Sequence, residues 1–148
     1  MLFSELIRFE TDLWNGVDAR LRSEHDLPLT WFEPMQVMSK YTACRVLDIK
    51  EELSITVGGT SKLVDRIEAA GMCRRLANPD DRRSRIIELT PAGRRLLAKA
   101  TKSFEDELQT RLESFVTGRE LDQFGATVVK LRSANRPATS SEETCPAS

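Results

Sequence analysis

Histidine, cysteine and tyrosine are scarce in this 148-residue chain, which has one histidine, three cysteines and one tyrosine. A single histidine offers little for a metal site or a proton shuttle, and the place of His25 beside Asp26 near a helix end reads as a surface residue. The cysteines, Cys44, Cys73 and Cys145, are odd in number and lack CxxC spacing, which argues against a disulfide framework or a zinc site. They fit a reducing cytoplasm. No apolar run approaches about 18 residues, so no membrane span is expected. The start, Met1-Leu2-Phe3-Ser4-Glu5-Leu6, carries an acid early, unlike a secretory signal. HExxH, GxSxG and GxGxxG are missing, and no Cys–His pairing has believable spacing, so neither an enzyme nor a cofactor is expected. A strong charge of one sign is missing too. The net charge of −1 argues against a uniformly basic nucleic-acid binder.

What is present is unevenly placed. Charged residues make up 30% and hydrophobic residues 40%, the composition of a globular domain. Between Lys62 and Arg95 nine basic residues face five acidic ones, a surplus of four that leaves the rest of the chain at −5. A basic island on an acidic body presents one defined face to a polyanion.

Apolar periodicity predicts a mainly α fold with a small β-hairpin. Leu2, Phe3, Leu6, Ile7, Leu13, Trp14, Val17 and Leu21 mark one face of a helix over residues 2–24. A second helix over 30–40 has Thr30 as its candidate cap, with Pro34 tolerable in a first turn. A short strand at Ala43-Cys44-Arg45 is open. Residues 46–53 read as a third helix without a good cap. Thr56 is expected to cap a fourth helix that Gly71 stops. Residues 72–77 and 84–89 pair as strands. Thr90-Pro91 then starts a helix predicted to run to Val116, which Thr117 or Gly118 breaks, and a last helix carries Leu121, Phe124, Val128 and Leu131.

The order helix, short turn, helix, Gly stop, hairpin is that of a winged helix-turn-helix. The boundaries expected are an N-terminal dimerisation helix at 1–27, a DNA-binding head at 28–90, C-terminal dimerisation helices at 91–134 and a disordered polar tail at 135–148. Three apolar stripes exceed what one small head can bury. A symmetric homodimer is the simplest destination, the alternative being helices that only cover their own core.

Two segments carry the chemistry. The fourth helix opens Thr56-Val57-Gly58-Gly59-Thr60-Ser61-Lys62, the end that a helix-turn-helix points into a major groove. Paired glycines weaken a first turn, which makes sense where bulkier side chains would strike a phosphate or base edge. Thr60, Ser61 and Lys62 offer short donors and a cation. In the hairpin tip Asn78-Pro79-Asp80-Asp81-Arg82-Arg83-Ser84-Arg85, three arginines crowd beside two aspartates. A minor groove concentrates negative potential and favours Arg, and a carboxylate can hold a guanidinium in place. An ordinary solvated turn also explains Asn-Pro-Asp-Asp.

Leu53 to Met72 resembles the recognition helix of MarR-type transcriptional regulators, and Asp81-Arg82-Arg83 followed by Leu89-Thr90-Pro91-Ala92-Gly93 resembles that family's wing signature, D-x-R, a strand, then L-T-x-x-G. The resemblance covers about residues 30–95. It implies an obligate homodimer on double-stranded DNA with a pseudo-palindromic operator; a dimer so placed would occlude a promoter, so repression is the expected outcome. Arg83 would enter the minor groove, Asp81 would brace an arginine, and Arg74 and Arg75 would contact the DNA backbone. Arg66, Arg82 and Arg85 complete the expected DNA-binding set. Lys50 and the Gly58-Gly59 pair depart from the family's usual residues, which bears on base preference.

The resemblance also implies a signal: a small, often anionic aromatic effector, an oxidised cysteine, or a metal. Metal is unexpected with one histidine. Cys73 beside Arg74 and Arg75 could have a lowered pKa, or be a small buried strand residue. An effector pocket would draw on Trp14, Trp31, Phe32, Met35, Met38 and Tyr41, all equally explained as core. The other classes open are a cysteine-based redox regulator and a winged helix used for protein contacts.

Overall fold

The computed structural model describes residues 1–53 and 57–136. The expected cap Thr56, Cys145 and the expected disordered tail beyond Arg136 lie outside the described residues. The chain divides into two compact units, Met1–Gln109 and Thr110–Ser148. The first contains α1 (Leu2–His25), α2 (Leu29–Lys40), α3 (Val46–Leu53), α4 (Val57–Ala69), β1 (Cys73–Ala77), β2 (Arg85–Leu89) and α5 (Pro91–Leu108). A π turn, Gln109–Glu113, follows α5, and α6 (Gly118–Ala134) lies in the second unit.

The architecture is mainly helical with one antiparallel hairpin, as the periodicity predicts. β1 and β2 pair from Cys73↔Leu89 at the base to Ala77↔Arg85 near the tip. The strand open at residues 43–45 shrinks to one bridge, in which the Ile87 amide donates to the Cys44 carbonyl at 2.7 Å. α3 finds the cap its sequence seemed to lack: the Asp48 carboxylate accepts the Arg45 amide at 2.8 Å.

Two boundaries differ from expectation. α2 starts at Leu29, so Thr30 is an exposed helical residue and no cap. The first amide is instead satisfied from α1, where Asp18 Oδ1 accepts Leu29 N–H at 2.8 Å. Pro34 consequently falls beyond the first turn, and the carbonyl it leaves without a helical donor belongs to exposed Thr30, within reach of water. Regular α geometry also ends at Leu108 rather than Val116. No residue of the π turn is buried. Thr117 and Gly118 then open α6. Thr117 accepts the Glu120 amide and Glu120 accepts the Thr117 amide, a reciprocal capping box that holds the Glu120 carboxyl below its ordinary pKa.

The core of the first unit gathers Val17 and Leu21 from α1, Phe32, Met35, Val37 and Met38 from α2, Ile49 from α3, Val64 and Ile67 from α4, Cys73, Ile87 and Leu89 from the hairpin, and Leu97 and Ala100 from α5. Phe32 and Phe104 stack tilted, with centroids 4.7 Å apart. α1 and α5 pack along a seam that also holds polar groups. Ser103 Oγ donates to Glu24 and lies 2.8 Å from His25 Nε2, while Arg20 reaches Glu24 and Glu107. His25 is thus largely enclosed, not the surface residue expected. Ser103 has one proton, and its donation to Glu24 leaves His25 Nε2–H as the donor to Ser103. The Ser103 bond and then Arg20 lower the Glu24 pKa.

One junction joins three elements. α4 ends in a Schellman turn: Gly71 adopts φ +77°, its amide bonds the Glu68 carbonyl, and the Met72 amide bonds the Ile67 carbonyl. Thr90, the cap of α5, accepts the Gly93 amide at 3.1 Å, donates its hydroxyl to the Gly71 carbonyl at 2.6 Å, and its amide bonds the Met72 carbonyl. A Cβ on Gly93 would stand 2.0 Å from the Met72 carbonyl oxygen, which is backbone and cannot swing aside. Gly93→Ala is expected to destabilise the protein by about 3 kcal/mol or more, and Thr90→Val by about 1–2 kcal/mol. Urea unfolding of each variant, followed by circular dichroism, measures both.

Candidate nucleic-acid interface

α4 buries Thr60, Val64 and Ile67, the i, i+4 and i+7 positions, against the core. Gly58, Gly59, Lys62, Asp65, Arg66 and Ala69 are exposed along its outer side, and Ser61 is half-buried. Thr60 is therefore a packing residue, a correction to its expected role as a donor to DNA, because a fully buried hydroxyl cannot reach a ligand. A Cβ at Gly58 would meet nothing within 4 Å, so no contact within the described chain requires a glycine there.

The wing tip is ordered by its own side chains. Asn78 Oδ1 accepts the Asp80 amide at 3.0 Å and Asn78 Nδ2 donates to Ser84 Oγ at 3.0 Å. Asp81 Oδ1 accepts the Arg83 amide at 2.9 Å. Asp81 thus braces Arg83 through its backbone. Among the described residues it makes no ion pair with a guanidinium, contrary to expectation. The turn chemistry and the basic tip coexist: the aspartate shapes the loop, and the arginines it carries stay exposed.

The basic residues sort into two sets. Arg74 pairs with Glu88, directly opposite it in the hairpin register, with Nε–Oε1 at 2.6 Å. Arg75 pairs with Asp65 at 2.6 Å and Glu68 at 3.1 Å, both on α4. These two arginines, expected to contact the DNA backbone, are engaged within the chain. Lys62, Arg66, Arg82, Arg83 and Arg85 are exposed and make no ion pair among the described residues. The acidic partners Asp65, Glu68 and Glu88 were not among the expected site residues. Glu88 was legible in principle, since the strand register sets it opposite Arg74.

Neither of two clefts collects all of the expected effector residues. A cleft of about 630 Å³ is lined by Met38 and Tyr41 together with Glu88, Leu89, Arg94, Leu97 and Lys102. A second, of about 530 Å³, is lined by Trp31 with His25, Leu27, Met72 and Leu96. Trp14 lines neither cleft. Met35 and Phe32 are fully buried core.

Cys44 and Cys73 are both buried as free thiols. Burial pushes Cys44 up to about 12, with Asp48 adding to the effect. It pushes Cys73 up to about 11, outweighing the opposing pull of Arg75. The lowered pKa considered for Cys73 is thus reversed. Among the described residues no group of three or more His, Cys, Asp or Glu could hold a metal ion, and no helix is long and apolar enough to cross a membrane.

A helix packed across a helical core, a second helix with an exposed polar outer side, and a hairpin with a basic tip define a winged helix-turn-helix protein. Residues 35–84 match the MarR family model. The chain is 28% identical over 75 residues to the multiple antibiotic resistance protein MarR of Salmonella typhimurium, a match covering 51% of this chain and 52% of that protein. The chain thus spans about half the length of the curated relatives it matches. Its fold is similar to that of Sco3205, a MarR family transcriptional regulator of Streptomyces coelicolor solved in complex with DNA, with TM-score 0.86 and 19% identity over 93% of this chain and 90% of that one. It is also similar to the transcriptional repressor CouR bound to a 23-mer DNA duplex, with TM-score 0.76 and 26% identity over 92% and 93% of the two chains.

The raised thiols have a consequence for stability. Each stays neutral in the folded state to a higher pH than the ordinary value of 9.0. The folded chain then holds more protons than the unfolded one. The stabilisation is complete below pH 9 and is lost as pH rises towards about 11 for Cys73 and about 12 for Cys44. Denaturation midpoints should fall across that alkaline range, and less steeply in Cys73→Ala and Cys44→Ala. In a Cys145→Ser background, native protein at pH 8 should resist thiol alkylation until it is unfolded.

Proposed function

We propose that the chain is a sequence-selective, DNA-binding transcriptional regulator and not an enzyme. It acts in the cytoplasm as a homodimer on a pseudo-palindromic operator. The observation that carries this reading is the set of five exposed cations that make no ion pair among the described residues, Lys62 and Arg66 on α4 and Arg82, Arg83 and Arg85 on the wing. Cations already engaged with carboxylates have little left for phosphate. These five keep their full charge for it, and the two elements that carry them are those that enter major and minor grooves in this fold. Open space around Gly58 lets backbone approach a phosphate closely.

Exposed apolar residues support the dimer. In the first unit α1 leaves Leu2, Phe3, Leu6 and Ile7 uncovered, and α6 of the second unit leaves Phe124, Val129 and Leu131 uncovered. Covering such residues against a second copy removes them from water. Residues 1–27 and 91–134 are therefore the proposed dimerisation segments, flanking a head at 28–90. Two heads place two α4 helices in successive major grooves about one turn apart. Promoter occlusion, hence repression, follows. A small-molecule effector that changes head spacing releases the DNA, since both heads must fit together. The larger cleft supports an anionic, partly apolar effector, because it sets Arg94 and Lys102 beside Leu89 and Leu97. The buried thiols weigh against a redox signal at Cys44 or Cys73.

Mobility shift of the full chain on its own upstream DNA, across a salt series, tests the reading. Arg83→Ala should weaken operator binding about ten-fold or more while leaving a folded dimer. It should also lower the salt slope by about 0.9 per arginine removed. Unchanged affinity in that variant would sink the wing assignment.

A further inference from the structure

Arg75 is the most heavily engaged cation of the basic island. Its side chain is only 21% exposed. The backbone amide donates to Glu68 Oε2 at 2.8 Å and Nη1 donates to Glu68 Oε1 at 3.1 Å. Nη2 donates to Asp65 Oδ1 at 2.6 Å and to the Ser61 carbonyl at 3.4 Å. One residue of β1 is thereby fastened to three successive turns of α4, through a planar fork whose donors face different acceptors. Glu68, accepting both the amide and the guanidinium of Arg75, also covers a donor on the open edge of β1.

We propose that Arg75 is a positioning residue that sets the spacing between wing and recognition helix, and does not itself contact phosphate. The inference rests on the DNA-binding reading above. The hairpin has five residues per strand, and a ribbon so short has little rigidity of its own. Its tip must reach one groove while α4 occupies another, so the angle between them decides whether both fit. The Schellman turn at Gly71 fixes the base of the ribbon, and the Arg75 fork fixes it again two residues past Cys73. The fork also neutralises Asp65 and Glu68, carboxylates on the helix that approaches the DNA.

The test compares Arg75→Gln and Arg75→Lys with wild type, in the full chain, on operator and on random duplex. Thermal unfolding first establishes that each variant is folded at the assay temperature. A strut predicts that both variants lose operator affinity about ten-fold and random-DNA affinity less than about two-fold. Lysine keeps the charge but cannot fork between two carboxylates, so it should not rescue. The loss should vanish when Arg75→Gln is made in an Asp65→Asn/Glu68→Gln background. A phosphate contact predicts the opposite: equal loss on both duplexes, a salt slope lower by about 0.9 per arginine, rescue by lysine, and full loss in the double background. Any of those results, or no loss on either duplex, overturns the proposal. Failure of the DNA-binding reading is seen separately, as wild type and Arg83→Ala that bind operator no better than random DNA.

Discussion

The recognition helix and the wing are set from one junction, that of Gly71, Met72, Thr90 and Gly93. Three elements meet there within a few ångströms: the end of α4, the base of the hairpin and the start of α5. The contact is made by backbone, which gives it little tolerance. Thr90 satisfies one orphan amide of α5 and donates its hydroxyl to Gly71, so a single side chain caps one helix and ties the end of another. Gly93 is required because the Met72 carbonyl occupies the place of its Cβ. The L-T-x-x-G run is thus a packing constraint first. Its relation to function is indirect: it orients the helix and the wing from a common base.

On that base, charge is divided by whether it is neutralised inside the chain. Arg74 and Arg75 lie near the base of the hairpin, where Glu88, Asp65 and Glu68 are in reach. The arginines beyond Ala77 lie where the ribbon projects, and the acids beside them in the chain, Asp80 and Asp81, belong to the turn. Asp81 is occupied by the Arg83 amide. The division follows from distance along the hairpin. Cations near the head brace it, and those at its tip remain available to a ligand.

The α1–α5 seam shows a different use of polarity. Arg20, Glu24, Ser103 and His25 link two helices that are also held by apolar packing, and Ser103 is buried within the link. A satisfied network of this kind orients the two helices about their axes more narrowly than side-chain packing alone, because each donor accepts few directions. The same logic explains the placement of Asp18, whose carboxylate caps α2 from α1 and fixes the corner between them.

Local pattern determined much of this in advance. Helix periods, the Gly71 stop, the Thr90-Pro91 start and the hairpin were legible because each depends on residues within a turn or two of one another. The basic tip and its turn residues were legible for the same reason. Tertiary structure alone decided which of the candidate residues were available. Thr60 reads as a free donor in sequence, yet its place in the i, i+4, i+7 row with Val64 and Ile67 turns it into the core. Cys73 sits beside two arginines in sequence, but burial governs its thiol, and one of those arginines is drawn away to α4. His25 looked exposed until α5 closed over it. In each case the deciding partner lies far along the chain or on another element. Sequence spacing carries the period of a helix or strand, but burial and charge pairing depend on what the fold sets opposite.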